Sequence, residues 1–228
     1  MNKANSNWLA RLVTVNATEL GALAASFLYF YLLLCAYYII RPIRDEMLIA
    51  NGVDNIQWLL LMTMGILLAI TPLFGWITSR FRTREFLSYC TLFFALNLVG
   101  FYFLFAGEER SPTVTRTFFV WVNVFNMFIV SLFWSFMNDI FSEHQAKRLF
   151  AFIAAGGTAG ALTGPIITTT LVERTGLGPL LLISAAVLSS TVLCILWLTR
   201  WKNDDYLPNN IQIKEKTGEA LSGSIWGG

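Results

Sequence analysis

The chain has 228 residues, of which 56% are hydrophobic and only 13% are charged, and its formal net charge is +2. Soluble domains carry about 25% charged residues, so this composition excludes an ordinary soluble protein, and a chain this apolar is not disordered either. The small net charge is not the footprint of nucleic-acid binding, and we expect the lipid bilayer to surround the chain.

Six stretches of the chain contain no Asp, Glu, Lys or Arg. They cover residues 20–40, 56–79, 86–106, 117–138, 149–172 and 175–199. Each is long enough for a helix to cross about 30 Å of hydrocarbon. Only helices and closed barrels satisfy every backbone group in lipid, and these runs do not alternate in polarity as barrel strands do. We therefore predict an all-α integral membrane protein whose six transmembrane helices occupy residues 20–200.

Lysine and arginine side chains predict the orientation in the membrane. With the N-terminus in the cytoplasm, eleven of them face the cytoplasm and five face the other side. This distribution satisfies the positive-inside rule, and an even number of helices returns the C-terminus to the cytoplasm. We expect a multi-pass protein of a bacterial inner membrane with both termini in the cytoplasm.

Residues 1–19 precede the first helix, and apolar residues at helical spacing beside Arg11 predict a short interfacial anchor there. The first helix carries polar and aromatic side chains on one face, provided that it continues through Pro42. This face contains Ser26, Phe30, Tyr37, Arg41 and Arg44.

The two arginines on this face suit an anionic solute, because guanidinium groups bind phosphate or carboxylate in a bidentate fashion. Tyr37, Tyr38 and Trp134 offer rings for stacking on an aromatic solute. The alternative is local neutralisation of the arginines by the neighbouring Asp45 and Glu46.

The second helix ends in a basic loop that resembles a signature of the major facilitator superfamily. Gly75, Ile77, Arg80 and Arg84 match it, whereas Ser79 replaces the usual Asp and Arg82 replaces the usual Gly. The resemblance implies that Gly75, Arg80 and Arg84 help to lock the inward-closed state against a second half of the carrier. The missing carboxylate puts this lock in doubt, and a loop that merely obeys the topology is the alternative.

One side of the fourth helix is polar. Within about 180° lie Asn123, Asn126, Met127, Ser131, Trp134, Ser135 and Asn138. Amides in hydrocarbon are costly without partners or water, so this side is expected to face protein or a cavity. The alternative is that the amides bridge helices inside a packed bundle. The predicted solute-binding residues are Tyr37, Arg41, Arg44, Asn123, Asn126, Trp134 and Asn138.

The fifth helix begins with a predicted capping box at Ser142 and Gln145, with Glu143 and Lys147 one turn apart. Further along, Gly156, Gly160 and Gly164 recur at every fourth position and are followed by Pro165. This element is similar to the Gly-x-x-x-Gly-Pro element of facilitator exchangers. The resemblance implies packing against a second six-helix half and a conformational role for Gly160, Gly164 and Pro165. A tight contact within this bundle is the alternative.

The chain also suggests an internal repeat, because Pro72 and Pro165 stand 93 residues apart. Shifting the first three charge-free stretches by that distance places them close to the last three. Three helices followed by three more give a 3+3 inverted repeat, the construction of each half of the major facilitator fold. Coincidental superposition of evenly spaced helices is the alternative.

The end of the first helix carries a narrower resemblance. Tyr37, Arg41, Arg44 and Asp45 are similar in spacing to a stretch of the ATP/ADP exchangers of plastids and intracellular bacteria, with Arg44 where that family has Lys. This resemblance implies that Arg41 and Arg44 handle a nucleotide.

Residues 201–228 are expected to form a cytoplasmic linker or tail. The wider resemblance implies the N-terminal six-helix half of a secondary carrier that works by alternating access. Its second half is expected to be a missing C-terminal part or a second copy. Exchange is favoured over proton symport, because none of the six stretches contains an acid.

Other functions stay open at this point. They are a non-transporting membrane scaffold or sensor, and a facilitator carrier for an organic anion or an amino acid. A membrane-embedded enzyme is a further rival, and its only polar cluster at one membrane face would be Asn138, Asp139, Glu143, His144 and Lys147, which lack metal-ligand or nucleophile spacing. No hydrolase elbow, phosphate loop, zinc-ligand spacing or haem motif occurs, so we predict no enzyme, no cofactor and no metal site.

Overall fold

The computed structural model describes residues 19–50, 56–80, 83–105 and 111–222. Apart from Glu19, the predicted interfacial segment lies outside the described residues. Six helices make up the described chain, and no strand occurs within those ranges, which confirms the all-α class. The helices are α1 (Leu20–Ala50), α2 (Ile56–Arg80), α3 (Thr83–Phe105), α4 (Pro112–Ile140), α5 (Glu143–Thr175) and α6 (Leu177–Ser222).

Five of the helices contain an apolar span long enough to cross a membrane. These spans are Leu20–Ile49, Phe86–Phe105, Pro112–Ile140, Glu143–Thr175 and Leu177–Lys202. In α2 the apolar part Ile56–Pro72 is shorter, so the sixth crossing stays a prediction. The chain is thus a multi-pass integral membrane protein.

The last helix extends beyond its apolar stretch. A polar linker is expected from residue 201 onward, whereas α6 continues as one helix of 46 residues to Ser222. Only the part up to Lys202 is apolar enough to cross a membrane. Backbone hydrogen bonds hold a helix whatever its hydropathy, so the change in composition does not end α6.

Helices α1, α2 and α5 contain internal prolines at Pro42, Pro72 and Pro165. Each helix continues through its proline, which neighbouring helices and hydroxyl groups make tolerable within a membrane. The helix continues through Pro42, so Arg41 and Arg44 both lie on α1. This is the condition on which the predicted polar face of the first helix depends.

Helix α1 is the centre of the bundle. It packs most extensively on α5, then on α6 and α4, while α3 packs on α6 and α4, and α2 makes its main contact with α4. Its fully buried side chains include Tyr29, Leu33, Ile39, Ile40 and Ile43. A helix that is buried around most of its circumference needs apolar residues on nearly every face, as α1 has.

A glycine seam, formed by Gly156, Gly157, Gly160 and Gly164 of α5, explains the close approach to α1. A Cβ atom added at Gly156 would lie 2.5 Å from the carbonyl oxygen of Phe27, and one at Gly164 would lie 2.6 Å from Cβ of Tyr38. At Gly160 the added atom would run into the carbonyl oxygen of Tyr31. The seam is therefore covered by α1, the tight contact within the bundle, and not by a second half.

Hydroxyl groups of α5 and α6 reinforce this packing. Oγ1 of Thr168 donates to the carbonyl of Ile39 at 3.0 Å, and Oγ of Ser184 donates to the carbonyl of Ala36 at 2.8 Å. Such bonds between helices replace the hydrophobic drive that is absent between helices in lipid.

The predicted capping box at the start of α5 is confirmed. The backbone N–H of Ser142 donates to Oε1 of Gln145 at 2.9 Å, while the N–H of Gln145 donates to Oγ of Ser142 at 3.4 Å. The predicted pair of Lys147 and Glu143 also forms, at 2.9 Å. The box therefore fixes the residue at which α5 begins.

Replacement of Ser142 with alanine is expected to lower the free energy of unfolding by about 1 kcal/mol, because the backbone N–H of Gln145 loses its acceptor, Oγ of Ser142. Denaturant unfolding in detergent micelles measures this loss. Thr158→Ala, on the exposed surface of the same helix, is the matched control and should leave stability nearly unchanged. Equal effects of both variants would show that the box contributes nothing.

Candidate solute site between the first and fourth helices

Arg44 lies where α1 meets α4, and its side chain is only 11% exposed. Its Nη1 donates to Oδ1 of Asn123 at 3.2 Å, across 79 residues of sequence. Its Cζ atom lies 5.3 Å from the ring centroid of Phe119, one helical turn before Asn123. The cation is thus held on one side by an amide and on another by an aromatic ring.

Asp45 holds the other edge of the same guanidinium. Nε and Nη2 of Arg44 both donate to Oδ1 of Asp45, at 2.8 and 2.7 Å. The carboxylate is half exposed, so the ion pair is partly screened by solvent and contributes modestly to stability. Local neutralisation of Arg44, the alternative weighed from the sequence, is present in this geometry.

The amide of Asn123 is satisfied on both sides. Nδ2 donates to the carbonyl of Phe119 at 2.7 Å, and this bond turns the oxygen of the amide toward Arg44. Asn123 therefore bridges two helices, which is the alternative given above for the amides of α4. We call Arg44 and Asn123 the arginine–amide pair.

The pair leaves part of the guanidinium available. An arginine has five N–H donors, and three of those of Arg44 are used by Asp45 and Asn123. The remaining two, one on each Nη atom, have no partner among the described residues. These N–H groups can donate to the oxygens of a phosphate or carboxylate.

Arg41 occupies a different environment on the same helix. Its side chain is exposed, and its Cζ lies 5.4 Å from the ring centroid of Tyr38. Tyr37 is only 7% exposed and packs edge-on against Tyr38 at 5.1 Å. Tyr38, beneath Arg41, is the more accessible of the two rings for a solute, although the motif points to Tyr37.

The other predicted residues of α4 lie apart from the arginine–amide pair. Trp134 is half-buried between Phe30 at 5.4 Å and Phe150 at 5.2 Å, and thus belongs to an aromatic cluster within the bundle. Asn138 is exposed in the last turn, about 22 Å along the helix from Asn123 at 1.5 Å per residue. Asn126 is half-buried, one turn from Asn123.

The predicted gating residues are placed only in part. Gly75 is exposed on α2, and a Cβ atom there would meet nothing within 4 Å. Arg80 ends α2 and Arg84 is the second residue of α3, but their side chains lie outside the described part of the structure. A gating role for these residues, and for Gly160, Gly164 and Pro165, stays a prediction.

A second polar cluster, which the sequence does not reveal, joins the starts of α1 and α5. Nε2 of Gln145 donates to Oε1 of Glu19 at 2.8 Å, and Nη2 of Arg148 lies 3.4 Å from Oε2 of the same carboxylate. The Glu19 side chain is only 8% exposed. Because Glu19 directly precedes the first charge-free stretch, a search within such stretches passes over it.

Phe119 is another residue of the candidate site that sequence reasoning missed. It stands four residues before Asn123 on α4, so helical periodicity places it on the same face. A search restricted to polar residues overlooks an aromatic ring that supports a cation.

Among the described residues, no group of three or more His, Cys, Asp and Glu side chains could hold a metal ion. Comparison with protein-family models, with curated proteins and with solved structures returned no match.

Proposed function

We propose that the chain is one six-helix half of a secondary carrier of the major facilitator type. It exchanges a small anionic solute, such as a nucleotide, by alternating access. A second six-helix half, in the same polypeptide or in a second copy, completes the site. Both termini lie on the cytoplasmic side of a bacterial inner membrane in this proposal.

The observation that carries the proposal is the position of Arg44. A charged side chain within a membrane bundle is expensive, and such residues mark pathways for ions or solutes. Arg44 keeps two N–H donors available while Asp45 and Asn123 hold the guanidinium in one orientation. A preoriented guanidinium loses less entropy when it binds an anion, which favours a recognition role.

Arg41 and Tyr38 add a second recognition element. An exposed cation beside a half-buried ring suits a solute that carries both negative charge and an aromatic group. A nucleotide has both features, in agreement with the resemblance of this stretch to the ATP/ADP exchangers.

The pattern of helix neighbours supports a 3+3 repeat. A 3+3 repeat relates α1 to α4, α2 to α5 and α3 to α6. Under this exchange the α1–α5 contact corresponds to the α4–α2 contact, and the α1–α6 contact corresponds to the α4–α3 contact. The α1–α4 and α3–α6 contacts convert into themselves, whereas the smaller α5–α6 and α4–α6 contacts have no counterpart of that extent among the described residues. The α1–α5 contact is the closer member of its pair because the glycine seam occurs in α5.

Counterflow in proteoliposomes tests the proposal. We expect uptake of labelled ATP to be accelerated by ADP inside the vesicles, and to exceed uptake of organic anions and amino acids measured in the same way. Protein-free liposomes are the control. Uptake that never exceeds this control for any anion would contradict the carrier, and uptake of neutral amino acids alone would contradict the role of the arginines.

A further inference from the structure

A groove of about 540 Å³ lies between α2 and α4. Its α2 wall extends from Leu59 to Ile70 and its α4 wall from Thr113 to Val124. We call it the α2/α4 groove. Except at its Thr113 end, the side chains that line it are apolar.

The groove has the depth of one membrane leaflet. Each wall covers twelve residues, so its end residues lie about 16 Å apart at 1.5 Å per residue, which is half of a hydrocarbon core of about 30 Å. The two helices run in the same direction, because Oγ1 of Thr71 lies 3.8 Å from Sδ of Met127, just past the far ends of both walls. The polar end of the groove is therefore where α2 and α4 both begin.

Arg116 provides a cation at this polar end. It is exposed, makes no ion pair within the described residues, and α4 has no acidic residue in its first turn. The hydroxyl of Thr117 already donates to the carbonyl of Thr113 at 2.9 Å, so Arg116 is the main donor for a ligand. Trp58, 73% exposed near the start of α2, stands at the same level, where tryptophan marks a membrane interface.

We propose that the α2/α4 groove binds an anionic phospholipid. One acyl chain lies between α2 and α4, and the lipid phosphate meets the guanidinium of Arg116. The apolar walls fit the chain, the depth fits one leaflet, and the cation at the rim favours a net negative head group over a zwitterionic one. This inference does not depend on the proposed exchange activity.

Native mass spectrometry of the full chain in detergent tests the head-group contact. The probes are phosphatidylglycerol and phosphatidylcholine with identical acyl chains, and we expect tighter binding of phosphatidylglycerol. Arg116→Gln should weaken the binding of phosphatidylglycerol about tenfold, to the level of phosphatidylcholine binding, because one charge-assisted contact is lost. Arg174→Gln, at an exposed arginine at the end of α5, is the matched control and should change neither lipid.

A second pair of variants tests the groove itself. Met62 and Leu61 are both 59% exposed, but only Met62 lines the groove. Met62→Trp should fill the groove and weaken the binding of both lipids, whereas Leu61→Trp should leave the binding of both unchanged. Circular dichroism and thermal unfolding test whether all variants are folded.

Four results would overturn the proposal. Three of them are equal affinity of the unmodified chain for both lipids, equal losses in Arg116→Gln and Arg174→Gln, and displacement of phosphatidylglycerol by inorganic phosphate alone. The fourth is a change in the oligomeric state of Met62→Trp without loss of lipid binding. This result would mean that a second helical bundle, and not a lipid, occupies the groove.

Discussion

Replacement of Arg44 with alanine is expected to abolish anion exchange. The variant removes both N–H donors that remain for the solute and also breaks the bond to Asn123. Hydrogen bonds to charged groups are each worth about 1.5–3 kcal/mol, so losing two lowers affinity at least about a hundredfold. Initial rates of ATP uptake against internal ADP measure the effect.

Three further variants make this result specific. Arg44→Lys keeps the charge but loses the planar fork, so it should retain only part of the activity. Arg41→Ala should also abolish exchange without loss of stability, since Arg41 is exposed. Arg174→Ala removes an exposed cation outside the candidate site and should exchange normally.

Thermal unfolding separates recognition from folding in the Arg44 variant. If Arg44→Ala is folded and still exchanges at the normal rate, Arg44 only pairs with Asp45 and braces α1 against α4. The recognition role would then be withdrawn, and the exposed Arg41 alone would not support it.

The second large effect is expected at the glycine seam. Gly160→Ala should destabilise the bundle by about 3 kcal/mol, because the added Cβ atom meets backbone atoms of Tyr31 and Cys35, which cannot move as a flexible side chain would. Thermal unfolding and size-exclusion chromatography in detergent measure the loss of folded protein.

Gly100→Ala is the matched control for this variant. Gly100 lies within α3, and a Cβ atom there would meet nothing within 4 Å. Alanine is the better helix former, so this change should be neutral or stabilise by up to about 1 kcal/mol. If the two variants are equally stable, α1 does not pack on the seam as closely as the structure describes.

Much of the fold follows from local sequence. The charge-free stretch 149–172 lies within the helix Glu143–Thr175, and Ser142 begins that helix through its capping box. Hydropathy and capping depend on residues within a few turns of one another, so they can be read from one segment alone. The continuation of α6 to Ser222 shows the limit of this reading, since hydropathy marks a membrane span and not the end of a helix.

Candidate site residues are harder to predict, because a site joins segments that are distant in sequence. The arginines and amides of α1 and α4 stand out by their polarity, but polarity does not show which of them meet. Arg44 contacts Asn123, whereas Trp134 joins an aromatic cluster and Tyr37 is enclosed.

Composition and periodicity alone therefore determined the class of the protein, the apolar stretches and the residue types suited to an anion. Tertiary structure decided that the glycine seam meets α1, that Asn123 orients Arg44, and that Glu19 joins the starts of α1 and α5. The physical reason is that the transfer of an apolar helix into lipid is favourable for each helix by itself, whatever its neighbours are. The partner of a given face depends on how each helix is rotated and which helix lies beside it, and no single segment encodes this.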